Sequence, residues 1–163
     1  MHEISLRPSD RFTEKYTTYG TMLFRIAMVY LGNKADAEEA VQETFMKLLY
    51  KAPIFHEQEH EKAWLIRVVT NICKNMLGTI WNKRVVKKEN IEMYSDSTAD
   101  LHVIEQVLNL PFKYKTVIHL FYYEDYSIRQ IATTLQISES AVKMRMQRGR
   151  QLLKLEMEGT QDE

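Results

Sequence analysis

Apolar positions along this chain recur at helical spacing, not at the alternating spacing of strands. Met22, Ile26, Val29 and Tyr30 mark one stripe of a first amphipathic segment, which Gly32 and Asn33 can close as a C-cap pair. Asp36 can open a second segment, in which Val41, Phe45, Leu48 and Leu49 read as core positions until Pro53 interrupts the pattern. A third segment carries Trp64, Leu65, Val68, Ile72 and Met76 on one side and Arg67, Asn71, Lys74 and Asn75 on the other. From Lys88 to Asp100 the chain is polar and aperiodic and reads as a linker. Beyond it, Val103, Ile104, Val107 and Leu108 predict a short helix stopped by Pro111, and Tyr114, Val117, Ile118 and Phe121 predict another. The pattern therefore predicts an all-α protein. Two small helical domains, 10–88 and 101–157, are joined by a short flexible linker over 89–100. Units of that size bury limited cores and are marginal in isolation.

The stretch "SIRQIATTLQISESAVKMRMQRGRQLLK" (Ser127 to Lys154) is the most informative. Ser127 can cap a short helix whose inward positions are Ile128, Ile131, Ala132 and Leu135, and a break follows at Gln136 and Ile137. Ser138 can then cap a longer helix. Ala132 is small where two helices must cross closely, and Ile137 and Val142 can fill the corner, which is the spacing of a helix-turn-helix. The second helix exposes Ser140, Lys143, Met144, Arg145 and Arg148, a set suited to phosphates and to guanine edges in the major groove. Gln136 stands where glycine is usual, and a left-handed backbone there costs a non-glycine residue about 1 kcal/mol.

Composition adds little against this picture and removes several alternatives. Of the 163 residues only five are glycine and three proline, which suits helices with short connections. The single cysteine, Cys73, excludes an internal disulfide framework and fits a reducing cytoplasm. "MHEISLRPSDRF" lacks the apolar run of a signal peptide, and no run of apolar residues is long enough for a membrane span. A cytoplasmic protein is expected. The formal net charge of zero conceals segregation: Asp36 to Glu43 is acidic, whereas Asn82 to Lys88 and Lys143 to Lys154 are basic. Distinct faces for distinct partners follow from that asymmetry.

"HEQEH" (His56 to His60) matches H-E-x-x-H, a pattern that in zinc proteases sets two histidines one helical turn apart. Pro53 lies just before it, and the further downstream ligand of the extended motif is missing; Glu89 and Glu92 fall in the predicted linker. Neither a metal site nor a cofactor is expected from these residues, and no catalytic residue is assigned.

Taken in order, "DAEEAVQETFMKLLY", "AWLIRVVTNICKNML" and "LPFKYKTVIHLFYYEDYS" with the helix-turn-helix resemble the extracytoplasmic-function class of bacterial sigma factors. The resemblance runs from about Phe12 to Leu155. It implies a non-enzymatic initiation factor that binds core RNA polymerase and directs it to promoters, under the control of an anti-sigma factor that is often membrane-bound. Asp36, Glu39, Gln42, Glu43 and Lys47 match the face that docks on the polymerase clamp. Asn71, Lys74 and Asn75 match the helix that recognises and opens the minus-ten element, with Lys83 and Arg84 placed to follow melted DNA. Trp64 matches an aromatic of that helix and reads as core. Ser140, Lys143, Met144, Arg145 and Arg148 match positions that read the minus-thirty-five element as duplex.

The resemblance also places "IFHEQEHEK" in the loop that captures a flipped promoter base. An acidic loop opposes phosphate approach, but a carboxylate accepts a hydrogen bond from the amino group of cytosine. Glu57 or Glu59 is therefore expected to contribute to base selection, with His56 and His60 as weak pH modulators. Two other functional classes compete: an autonomous DNA-binding regulator that uses the helix-turn-helix alone, and a zinc hydrolase. Dependence on core polymerase separates the first from the leading assignment, and sensitivity to chelation separates the second.

Overall fold

The computed structural model describes residues 8–79 and 106–161. Among them are six helices and no strand: α1 (Pro8–Leu31), α2 (Lys34–Lys51), α3 (Gln58–Thr79), α4 (Phe112–Tyr122), α5 (Ile128–Leu135) and α6 (Glu139–Gln161). One further helical turn covers 106–108. The predicted linker, the basic run from Asn82 to Lys88, and Val103 and Ile104 lie outside the described residues.

Helices α1, α2 and α3 form one bundle. Gly32 takes φ 70° and its amide donates to Met28 O at 2.9 Å, closing α1 in a conformation that a Cβ would strain. Asn33 does not share that task. It is the N-cap of α2, its side chain accepting from the Asp36 amide at 2.9 Å, so the helix starts two residues before the expected Asp36. Asp36 lies in the first turn, where its Oδ2 accepts from Asn33 Nδ2 at 2.7 Å.

Leu23, Ile26, Ala27, Val41, Phe45, Leu48, Leu65, Ile66, Val69 and Ile72 fill the space between the three helices. Phe45 anchors it, with Phe12 edge-on at 5.7 Å and Tyr16 tilted at 5.0 Å. Leu49 departs from expectation and is 49% exposed, because adjacent residues on a helix point about 100° apart and Leu48 takes the inward position. On α3 the buried stripe comprises Leu65, Ile66, Val69, Thr70, Ile72 and Cys73. Trp64, Val68 and Met76 are only half-buried beside it.

The second bundle sets α4 across the α5–α6 hairpin. Ser127 and Gln130 form a reciprocal capping box: Ser127 Oγ accepts from the Gln130 amide at 3.1 Å, and Gln130 Oε1 accepts from the Ser127 amide at 2.8 Å. Gln136 ends α5 at φ 58°, ψ 45°, and the Ile137 amide donates back to Ala132 O at 3.1 Å. Ser138 Oγ then accepts from the Ala141 amide at 3.0 Å at the start of α6. Gly149 lies where α6 meets α4, and a Cβ there would come within 3.1 Å of Ile118 Cγ1.

The two bundles also pack on each other, α1 against α4 and α3 against α5. This explains two features that a single amphipathic stripe does not. The C-terminal part of α1 is buried from Ile26 through Leu31, and α4 is buried from Lys115 through Leu120. Each of these segments is covered on more than one side.

Candidate partner and nucleic-acid interfaces

The outward face of α2 carries Glu38, Glu39, Gln42 and Glu43, all exposed, with Lys47 half-buried one turn further on. Asp36 is set apart from this group by its hydrogen bond to the N-cap residue. The face ends in apolar side chains: Met46, Leu49 and Tyr50, and beyond the helix Ile54, are each at least 49% exposed. Exposed large apolar groups in line with an acidic stripe suit a partner surface. The mixed acidic and apolar character was not apparent while Leu49 counted as core.

The H-E-x-x-H match divides at the helix boundary. α3 begins at Gln58, so His56 and Glu57 precede the helix and His60 lies in its first turn. The two histidines therefore do not share a helical face, which the zinc-protease pattern needs. His60 stands edge-on to Phe55 at 5.7 Å, and Phe55 in turn packs against Trp64 at 5.6 Å. Among the described residues no group of three or more His, Cys, Asp or Glu is placed to hold a metal ion.

The three glutamates also separate. Glu61 is buried, with Oε2 2.5 Å from Lys15 Nζ, and it ties the start of α3 to α1. Burial raises the pKa of the adjacent Tyr19 phenol above 10.0, with Gln58 and Glu61 as its near neighbours. Glu57 and Glu59 are exposed, as is His56. Along α3, Asn71, Lys74 and Asn75 are exposed together on one face. Lys83 and Arg84 lie outside the described residues.

On α6, Ser140, Lys143, Met144 and Arg148 project to solvent from the helix that follows the turn. Arg145 is the exception. It is half-buried, and its charge lies near the buried Tyr30 of α1. Burial drives the Tyr30 phenol well above its ordinary 10.0, and Thr70 and Arg145 oppose that rise.

Sequence patterning did not reveal the polar contacts between the bundles. Arg25 of α1 grips Glu124 through two hydrogen bonds, Nε to Oε1 at 3.0 Å and Nη2 to Oε2 at 3.1 Å. His119 Nε2 stands 3.3 Å from the same Oε1. Burial opposes ionisation of Glu124, but His119 and Arg25 outweigh it and hold the carboxyl below 4.5. Burial holds His119 below 6.5, although Glu124 pulls the other way. Lys115 Nζ donates to Val29 O at 3.2 Å, a cation at the C-terminal end of α1, and burial lowers its pKa to about 8. Arg67 Nη1 donates to Thr134 O at 3.1 Å, and Tyr30 stacks on Phe112 at 4.1 Å. Across the joint the partners are 67 or more positions apart in the chain, beyond the reach of any helical period.

A helical bundle with an exposed amide-and-lysine face is thus followed by a helix-turn-helix whose second helix has a basic exposed face. Residues 16–82 match the family model for sigma-70 region 2, and residues 102–153 match that for sigma-70 region 4. The chain is 29% identical to the ECF RNA polymerase sigma factor SigW of Bacillus subtilis, over 91% of this chain and 89% of that protein. It is 29% identical to the RNA polymerase sigma factor SigV of the same organism, over 82% and 83% of the two chains. A structure of the sigma factor RpoE in complex with the anti-sigma factor NepR from Bartonella quintana superposes with a TM-score of 0.73, at 19% identity, covering 91% of this chain and 97% of that one. The protein belongs to the extracytoplasmic-function sigma factors, which direct transcription initiation.

Proposed function

We propose that this chain joins core RNA polymerase through the acidic and apolar face of α2, with Glu39, Gln42, Glu43 and Lys47 at its centre and Asp36 at its edge. It would then read promoters with two separate surfaces. His56, Glu57, Glu59, Asn71, Lys74 and Asn75, with Lys83 and Arg84 from the sequence, meet the minus-ten element. Ser140, Lys143, Met144, Arg145 and Arg148 meet the minus-thirty-five element. The observation that carries this reading is the joint exposure of Asn71, Lys74 and Asn75 in the part of the chain that matches region 2. An amide there can hold an unstacked base while the lysine neutralises phosphate. Glu57 and Glu59 are the acids free to select a base, since Glu61 is committed to Lys15.

The RpoE structure contains an anti-sigma factor, which supports control of this chain by a protein of that kind. Transcription in vitro with core polymerase on a randomised promoter library tests the whole reading. Asn71→Ala should lower initiation about 10- to 100-fold, corresponding to the about 1–3 kcal/mol of a specific base contact. Glu57→Gln and Glu59→Gln should alter base preference near the minus-ten element with less loss of rate. Specific duplex binding without any dependence on core polymerase would favour an autonomous regulator instead.

A further inference from the structure

The exposed side of α6 is basic and polar with one exception. Met144 is 67% exposed, and among the described side chains of α6 it is the only large apolar one so placed. Val142 and Met146, each two residues away, are 0% and 1% exposed, and two residues on a helix correspond to about 200°. Those two side chains seat α6 in the core of the second bundle, so Met144 has to point away from it. The start of the helix is fixed as well, by the Ser138 hydroxyl that accepts from the Ala141 amide at 3.0 Å. The fold itself sets the outward position of Met144.

Its neighbours on that side are hydrogen-bonding groups. Ser140 and Arg148 stand four residues before and after it, in one row along the helix with about 6 Å between successive members. Gln147 is exposed beside the row, and Lys143 is exposed on one flank. Arg145, on the other flank, is half-buried with its charge near Tyr30. In water an apolar group at the centre of such a row gains nothing. Against duplex DNA it has a specific use. Base edges in the major groove present N7, O6 and O4 acceptors, amino donors and the 5-methyl group of thymine. A thioether has no proton for the acceptors and is a weak acceptor for the amino groups, so the thymine methyl is the one base-edge group that rewards it. Methionine is also long and unbranched, and it adapts to an irregular apolar contact. Base edges are met by the first turns of a recognition helix, and Met144 is the sixth residue of α6.

We propose that Met144 is a specificity residue, which reads the 5-methyl group of one thymine in the minus-thirty-five element. It takes this role only if α6 reads that element, as proposed above. The group recognised is then a methyl on either strand of one A·T pair, while Lys143 and Arg148 serve phosphates or guanine.

Deoxyuridine differs from thymidine only by the absence of that methyl, so it tests the contact without altering a hydrogen bond. Holoenzyme assembled from the full chain and core polymerase is first given a library randomised over the minus-thirty-five element. Each thymine of the preferred element, on both strands, is then replaced singly by deoxyuridine, and open-complex formation is measured below saturation. The wild type should lose about fourfold at one position, the worth of one methyl group removed from water. In Met144→Gln the thymine-to-deoxyuridine ratio at that position should fall to about one. Met144→Leu, which keeps an apolar side chain, should retain most of the discrimination. Far-UV circular dichroism establishes that each variant is folded. A wild type that keeps a minus-thirty-five preference but ignores the methyl at every thymine would overturn the methyl contact alone. Met144→Gln discriminating as the wild type does would overturn it too, as would a folded Met144→Gln chain that no longer binds core polymerase. If the wild type shows no minus-thirty-five preference at all, the assignment of α6 fails and the methyl contact with it.

Discussion

Gln136 holds a left-handed backbone, φ 58°, ψ 45°, at the turn between α5 and α6. A side chain in that region crowds the following carbonyl, and glycine does not. Gln136→Gly should therefore stabilise the second bundle by about 0.5–1 kcal/mol, less the extra entropy that glycine adds to the unfolded chain. A rise in the midpoint of thermal unfolding would show it; a fall would mean that the glutamine side chain contributes contacts of its own. The capping box of Ser127 and Gln130 was legible from residue types and spacing, as was the turn itself. The fate of Cys73 was not. Its thiol is buried and pushed up to about 12 by that burial, a property of its surroundings and not of its neighbours in sequence.

Gly149 shows how an element depends on what crosses it. Within α6 a glycine is unfavourable by about 1 kcal/mol relative to alanine, yet the space for a Cβ is nearly closed by Ile118 at 3.1 Å. Gly149→Ala should therefore change stability little, because the helix gains what the packing loses. Gly149→Val adds bulk against Ile118 and should destabilise by about 1–3 kcal/mol in chemical denaturation. The helical period located the elements well, because each helix presents a stripe to its own bundle. It assigned Leu49 to the core wrongly, since Leu48 and Leu49 are both apolar and only the packing distinguishes them. It also placed the start of α2 at Asp36, when Asn33 supplies the cap.

For the molecule, pH acts on the joint between the bundles. Packing of the bundles buries His119 and lowers its pKa below 6.5, so in acid the unfolded form binds a proton that the folded form resists. Stability therefore falls as pH drops below about 6.5. Glu124 is a carboxyl with a lowered pKa, so its contribution is present above 4.5 and is lost as pH falls through its value in the folded state. Both groups act in the same direction, with Arg25 of α1 the cation facing them. Acidification from pH 7 to 5 should lower the thermal midpoint. In His119→Gln that dependence should flatten above pH 5, leaving the carboxylate part at lower pH. An unchanged profile in this variant would remove His119 from the joint.

The sequence by itself determined the helices, the turn chemistry of the helix-turn-helix and the face of α3 that carries Asn71, Lys74 and Asn75. These depend on side-chain period and on capping groups within a few residues of each other, and both are local properties of a chain. Only the tertiary structure decided that Glu61 is tied to Lys15 while Glu57 and Glu59 remain open. It alone paired Arg25 with Glu124, 99 positions away, and turned Arg145 toward the first bundle. Those outcomes follow from which surfaces meet when the bundles pack, and no pattern within a single helix encodes its partner across the joint.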